Sequence, residues 1–276
     1  MFERVVSCDG DKNKGIIMLT KEEKKLIEDV IKESLNRAEK HWKNGGHLLK
    51  ESATLDNISL ERYESEPSNI PGHSEVQEKE TVIDEFIALV MDMRDSSKHL
   101  MHDISSKISK VTMLKRVYYE TSALLPAVEQ TIKFSDGSVT EYLGDGVLAF
   151  FKVDKDDKHK TIKEVYKISK NIMDDTLLIV NDILNERYDL PPLEIGIGLS
   201  MSKALVTLMG LSGSKHPKAF GRCVFKATKL SIGRNEILTD KWLKDSWPSS
   251  YGGNLKFIKS KKVKVVDGYL IERGSR

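Results

Sequence analysis

From Leu26 onward, apolar residues recur at steps of three and four: Leu26, Ile27, Val30, Ile31, Leu35, Ala38 and Trp42. That spacing lays them along one stripe of an α-helix. Thr20 and Glu23 stand where a capping box would open the helix, and Gly45-Gly46 ends the run. The pattern predicts about six turns at 3.6 residues per turn. The stripe must lie against the rest of the chain or against a second copy of itself. Residues 51–80 change character: Pro67, Pro71, Gly72 and many Ser, Glu and Asn leave few large apolar groups. Such composition reads as a polar linker or surface loop. Three parts follow: an N-terminal helical segment (1–50), the linker (51–80) and a main domain (81–276).

The main domain alternates between strand-like and helix-like patterns, which predicts an α+β fold. Val82 to Met93 is a buried strand with an apolar FIALVM stretch. Helices are expected over Ser97–Ser109 and Leu114–Thr131, and a long amphipathic one over Lys158–Arg187. Ser138–Leu143 and Val147–Phe151 are short β runs parted by Gly144-Asp145-Gly146, a hairpin signal. Leu193–Met201 and Leu205–Met209 read as strands, and KVKVVDGYLIERG reads as a hairpin around Asp267-Gly268.

Charge and cysteine content narrow the function. Forty-four Lys plus Arg against 42 Asp plus Glu give a net +2, too balanced for a nucleic-acid coat. Cys8 and Cys223 make neither a disulfide framework nor a four-cysteine zinc site, and fit a reducing compartment. No apolar run approaches the ~20 residues that span a bilayer, and the charged start lacks a signal peptide's apolar core. The expectation is a cytoplasmic protein without membrane or nucleic-acid partners. The scattered histidines, His99 and His102 included, read as surface residues, and the lysines at 259, 261, 262 and 264 as a solvated strand face, with a triphosphate-binding lysine the alternative. Tyr118 and Tyr119 read as core or interface residues, and Trp242 and Trp247 as packing for the C-terminal segment.

Two carboxylates stand out by position. Asp92 sits where the apolar strand should emerge, and Asp145 at the tip of a hairpin between glycines that allow close backbone approach. An Asp after a strand is often a cap, and G-D-G is a common turn. On two strands of one sheet, however, the pair suggests a shared metal site. Asp95, Ser96 and Ser97 lead into a helix whose first amides can hold phosphate oxygens, although one of them also serves as a simple cap. Phosphate beside paired carboxylates calls for divalent cations, two of which about 3.5–4 Å apart would stabilise attacking and leaving oxygens.

Four stretches, in order over about residues 82–273, resemble the class III nucleotidyl cyclases. F-I-A-L-V-M-D-M-R-D-S-S is similar to their first metal motif, and E-Y-L-G-D-G-V-L-A-F-F, from Glu141, to their second. I-G-I-G-L-S-M-S-K-A-L-V-T-L-M-G, from Ile195, resembles the strand pair that follows. F-G-R-C-V-F-K-A-T-K-L, from Phe220, resembles the helix that completes the site. The resemblance implies a ferredoxin-like, mainly antiparallel sheet with flanking helices, and a head-to-tail homodimer with active sites at the interface. It implies two Mn²⁺ or Mg²⁺ ions on Asp92, Asp145 and the Met93 carbonyl, with triphosphate on the amides of Asp95, Ser96 and Ser97. The reaction would be 3′,5′-cyclisation of a nucleoside triphosphate with loss of diphosphate.

Adenylate cyclases usually carry Lys where this chain has Glu141, and Asp where it has Lys218. Guanylate cyclases share the Glu but not the Lys. The family's transition-state Asn falls on Phe225 and its Arg on Lys229. Lys229 remains a point charge without a guanidinium's fork. Phe225 cannot donate, a loss of ~2.7–4 kcal/mol in related settings, for which Arg222 is a candidate substitute. These departures resemble the pyrimidine cyclases of bacterial antiphage (Pycsar) systems, which implies cyclic UMP or cyclic CMP acting on an effector protein. Glu141 and Lys218 would then read uracil or cytosine. The alternatives are a purine cyclase in ordinary signalling and a catalytically inactive regulatory module on the same fold.

Overall fold

The computed structural model describes residues 18–45, 65–77, 82–101, 111–211, 214–248 and 254–273. Helix α1 (Lys21–Asn44) opens with the expected capping box: Glu23 N–H donates to Thr20 Oγ1 at 3.1 Å, and Thr20 N–H to Glu23 Oε2 at 2.7 Å. Its buried stripe of Ile27, Ile31, Leu35 and Ala38 packs on α3 (Met113–Ile132) and α5 (Leu177–Tyr188) of the same chain. The stripe therefore belongs to the domain core. Polar anchors fix its angle: Lys24 Nζ lies 2.6 Å from Asp175, and Tyr188 donates to Glu39 at 2.5 Å.

Part of the expected linker is ordered structure. Strands β1 (Ser65–Ile70) and β2 (His73–Gln77) form an antiparallel hairpin across Pro71-Gly72, where Gly72 takes φ +77°. Ile70 and Val76 are buried in the hairpin. Two inward side chains vanish in a composition average, yet they suffice because the sheet beneath supplies the rest of the apolar surface. Residues 51–64 and 78–81 lie outside the described residues.

Eight strands make the main sheet: β3 (Val82–Met93), β4 (Ser138–Tyr142), β5 (Gly146–Lys152), β6 (Ile195–Met209), β7 (His216–Gly221), β8 (Glu236–Asp240), β9 (Leu255–Lys259) and β10 (Gly268–Arg273). Their order is β4-β5-β3-β6-β8-β10-β9, with β7 on β6, and every pair is antiparallel except β6–β8. With helices α2 (Ser96–Met101), α4 (Lys158–Asn171), α6 (Arg222–Leu230) and α7 (Lys241–Asp245), this is the expected α+β architecture. Residues 102–110 of the helix expected over 97–109 lie outside the described residues.

Three local expectations are corrected. β6 is one strand rather than two, because Ser202 and Lys203 stay in the ladder opposite Phe86 and Glu85, and Lys203 faces an opposite charge. The helix over 158–188 is interrupted by a π turn at Ile172–Thr176. There Asp175 turns to α1, accepting from Leu19 N–H at 3.0 Å as well as from Lys24. The final hairpin turns over residues 260–267 rather than at Asp267-Gly268, since Tyr269 pairs with Lys259. The lysine-rich segment is thus largely loop, with Lys259 on Asp267 and Lys262 on Glu236.

Alternation along β3 separates two cores. Ile87, Leu89, Met91 and Met93 face a cluster built with α1, α3, α4 and α5. Phe86, Ala88 and Val90 face a smaller one with Leu148, Phe150, Cys223, Ala227, Ile70 and Val76. On this second face α6 lies directly on β6: a Cβ at Gly198 would fall 2.0 Å from Ala227 O, and one at Gly196 2.1 Å from Ser231 O. That contact accounts for the I-G-I-G spacing. The end of β6 with β7 forms an arm, and β1 touches both β7 and β4, so the strands curl around the hairpin.

Candidate functional site

The Met93 end of β3 is where the first motif converges on the hairpin tip. Asp92 sits opposite Gly146 on one side and Gly196 on the other. Met93 N–H reaches Asp145 O at 3.3 Å, which joins the two motifs through their backbones. Gly146 makes the approach possible: a Cβ there would fall 2.4 Å from Met91 O and 3.4 Å from Asp92 Oδ1. Gly144 supplies the turn with φ +78°. Both carboxylates are half-buried at an open end of the sheet.

Around them lies a charge cluster that sequence reasoning missed. Arg94 ion-pairs Asp92 and lies in the field of Asp145, while its N–H donates to Glu194 O at 2.8 Å. Burial lowers the guanidinium pKa and Asp145 opposes that. Arg234 binds Asp95 at 2.6 Å and ion-pairs Glu194, and Lys98 binds Asp95 at 2.7 Å. Hydrogen bonds from Lys98 and then Arg234 hold Asp95 at about 2. Arg94 was legible in principle, since a residue two beyond Asp92 shares its strand face. Glu194 and Arg234 come from distant loops and carry no local signal.

Asp95, Ser96 and Ser97 do form the bend from β3 into α2. Asp95 takes φ +60° and its carbonyl accepts from His99 N–H at 2.9 Å. Its side chain is engaged by Lys98 and Arg234, so only its backbone faces a ligand role. His99 is not a free surface residue. Its Nδ1 lies 2.9 Å from Glu120, a fully buried carboxylate that also accepts from Arg116 Nε at 2.7 Å. This network ties α2 to α3.

As donors for a cation, the end of the sheet offers Asp92, Asp145 and the adjoining peptide carbonyls. An all-oxygen set of this kind suits Mg²⁺ or Mn²⁺. Among the described residues no group of three or more His, Cys, Asp or Glu is arranged to hold a metal. Two carboxylates match the partial set that Mg²⁺ completes with water and substrate phosphates. The residues therefore fit the ions that the sequence implies.

Glu141 and Lys218 meet directly: Lys218 Nζ lies 2.7 Å from Glu141 Oε2. Register alone would put Lys218 past the Val82 end of β3 and Glu141 level with Val90, so the curl of the β6–β7 arm creates the pair. Next to it, Tyr142 donates to Glu129, and burial followed by that carboxylate raises the phenol pKa. The Tyr142–Glu129 bond ties β4 to α3, and Glu129 also holds Lys133 one turn along at the end of α3.

On α6, Arg222, Phe225 and Lys229 lie along one exposed stripe, and Lys229 Nζ sits 5.7 Å from the Phe225 ring centroid. The two residues that the resemblance sets at the transition-state positions thus lie against each other. Beside them is a cavity of about 690 Å³, lined by Phe225, Lys226, Trp242, Asp245 and Asp267 among others. Trp242 is 56% exposed and lines this cavity together with Val265 and Asp267 of the C-terminal segment, whereas Trp247 meets Tyr166 and Phe257 edge to face. Tyr119 is buried and Tyr118 packs against the same core. Cys223 is buried, and Cys8 lies outside the described residues.

No protein-family model matches the sequence, and no curated protein matches it. Solved structures do. The adenylyl cyclase CyaB from P. aeruginosa is similar over 71% of this chain and 98% of its own, at 16% identity and TM-score 0.54. A bacterial light-regulated adenylyl cyclase aligns over 71% of this chain and 55% of its own, at 18% identity and TM-score 0.54. The guanylyl cyclase Cya2 aligns over 69% and 91%, at 16% identity and TM-score 0.52. The four ordered motifs and these likenesses agree: the chain has the class III nucleotidyl cyclase fold.

Proposed function

We propose that this protein is a metal-dependent nucleotidyl cyclase acting on a pyrimidine substrate, UTP or CTP. The observation that carries the reading is the juxtaposition of Asp92 and Asp145, backbone to backbone, on the cyclase fold. The 3′-oxygen attacks the α-phosphorus, the bond to the bridging oxygen of the β-phosphate breaks, and diphosphate leaves. The 3′-hydroxyl proton passes to solvent. Asp92, Asp145 and the Met93 carbonyl would hold two Mn²⁺ or Mg²⁺ ions, which when bound would supply charge neutralisation at the reacting oxygens. The amides of Asp95, Ser96 and Ser97 receive phosphate oxygens. Lys229 and Arg222 on α6 offset charge in the transition state.

For the base, Glu141 accepts and Lys218 donates. An acceptor beside a donor matches the N3–H and carbonyl edge of uracil, or the amine and carbonyl of cytosine. Their ion pair is partly exposed and therefore cheap to open for a ligand. We place the enzyme in the cytoplasm as a head-to-tail homodimer. Its cyclic nucleotide would activate an effector protein in antiphage defence. Among the described residues no helix is long and apolar enough to cross a membrane.

Incubating the protein with Mn²⁺ and each of ATP, GTP, CTP and UTP, then separating products, tests the reading. Cyclic UMP or cyclic CMP is expected, and a cyclic purine nucleotide alone would replace it with ordinary second-messenger signalling. A second reading, an inactive regulatory module, is favoured by Phe225, which puts a ring where a donor is expected. It predicts nucleotide binding without diphosphate release from any of the four.

A further inference from the structure

We propose that Arg94 is an internal counter-cation that competes with the divalent ion for Asp92, so that metal loads together with triphosphate rather than alone. The inference rests on the reading of Asp92 and Asp145 as metal ligands.

Arg94 is held in an uncomfortable place. Its side chain is only 15% exposed, against 36% for Asp92. Its Nε is buried without a hydrogen-bond partner among the described residues. Arg234 repels it, and Asp145 and Asp95 attract it. Its backbone cannot drift away, because β3 pairs with β6 up to Met93 and Arg94 N–H is fixed on Glu194 O. The ion pair with Asp92 is thus its main direct side-chain anchor.

A metal ion at Asp92 would draw on the carboxylate whose Oδ2 carries the Arg94 ion pair. Binding the metal alone therefore leaves a half-buried guanidinium with fewer acceptors and beside another arginine, a costly arrangement. Triphosphate changes the balance. Its oxygens accept from a guanidinium in forked geometry, so the displaced Arg94 gains new partners as the metal gains Asp92. Metal and triphosphate each bind better in the presence of the other, and the coupling is reciprocal.

The test is Mn²⁺ binding to the full chain by equilibrium dialysis at fixed free Mn²⁺, with and without inorganic tripolyphosphate. Wild type should bind Mn²⁺ weakly alone and about tenfold more tightly with tripolyphosphate. Arg94→Gln should bind Mn²⁺ alone about tenfold more tightly than wild type and gain less from tripolyphosphate. Arg94→Lys, which keeps the charge without the fork, should fall between. A thermal melt of each variant establishes that it is folded. If Arg94→Gln and Arg94→Lys bind Mn²⁺ no more tightly than wild type, while Asp92→Asn abolishes binding, the Arg94 proposal is overturned and the metal reading stands. If Mn²⁺ binding survives Asp92→Asn in the Arg94→Gln background, the metal reading itself fails and takes the proposal with it.

Discussion

On one face of the sheet, Ile87, Leu89, Met91 and Met93 lie under four long helical segments, and nearly everything they touch is aliphatic or aromatic. On the other, Phe86, Ala88 and Val90 lie under a short helix, a two-stranded hairpin and a curled arm. Asp84 and Asp92 share that second face by alternation, as does Glu141 through its register with Leu148 and Val90. The first face carries the bulk of the buried apolar surface and hence of the hydrophobic stabilisation. The second gathers the groups with chemistry, and each is held by a partner charge: Arg94 on Asp92, Lys218 on Glu141, Lys152 on Asp84. Stability and chemistry are thus divided between the two sides of a single strand.

The sharpest way to break that division is to remove the carboxylate that the hairpin tip brings to the Asp92 end of β3. Asp145→Ala should lower turnover by about 10²–10³-fold, the scale of losing a principal electrostatic stabiliser. Its thermal midpoint should stay close to wild type, because the side chain is half-exposed and Gly144 and Gly146 keep the turn. Assays of product formation alongside a melting curve check both halves. Retained turnover would remove Asp145 from the site, and a collapsed melt would deny the separation of roles.

Truncations of apolar residues compare the faces directly. Leu124→Ala, in α3 on the first face, should cost about 2–5 kcal/mol by opening a cavity among fully buried neighbours. Val76→Ala, in the hairpin on the second, should cost about 1–2 kcal/mol, because it removes less area from a smaller cluster. Denaturant midpoints measure the difference. Equal costs would mean that the hairpin is as integral to the fold as α3.

The two faces also differ in how far the sequence discloses them. Helix periodicity and the FIALVM run made α1, α3 and β3 readable, because a buried stripe leaves its period in the text. Asp92 and Asp145 were readable for a related reason: each sits at a strand end or turn that is a local event. The second face is assembled from pieces far apart in the chain. Ile70 and Val76 are two apolar residues in a polar segment, and only the sheet beneath gives them meaning. Glu141 and Lys218 were suspected as a pair, yet their direct contact depends on the curl of the β6–β7 arm. Arg234 and Glu194 complete the charge cluster from loops that no spacing links to Asp92. His99 looked like a surface residue because its partner Glu120, 21 positions away, is invisible to a helix-spacing argument.

Lowering pH should weaken the ties of the second face first. Asp84, only 10% exposed, is bound by Lys152 at 2.7 Å and His73 at 2.9 Å, with Lys155 at 3.8 Å. Burial raises its pKa, but Lys152 and then His73 outweigh that, and the net shift is downward. A depressed carboxylate pKa contributes stability that is present above the unfolded value, near 3.9, and is lost as pH falls through the folded value. Asp84→Asn should therefore be less stable than wild type at pH 7, with the gap closing as pH drops below about 4. Thermal melts across that range test it, and a gap that does not change with pH would remove Asp84 as the source.

The smallest expected effect on the fold is also the cleanest separation of the two faces. Phe225 is 54% exposed, and its ring contacts Lys229 one turn further along α6. An exposed cation–π contact is worth about 0.5–1 kcal/mol, and surface substitutions generally stay within about 0.5 kcal/mol. Phe225→Leu should accordingly shift stability by no more than about 1 kcal/mol. If the ring orients Lys229 toward the reacting phosphate, turnover should nonetheless fall several-fold, with KM little changed, because a transition-state contact moves kcat and not ground-state binding. A matching fall in Phe225→Leu and Lys229→Ala, with no further loss in the double variant, would show one unit acting together. Unchanged turnover in Phe225→Leu would make the ring a bystander and leave the transition-state charge to Arg222.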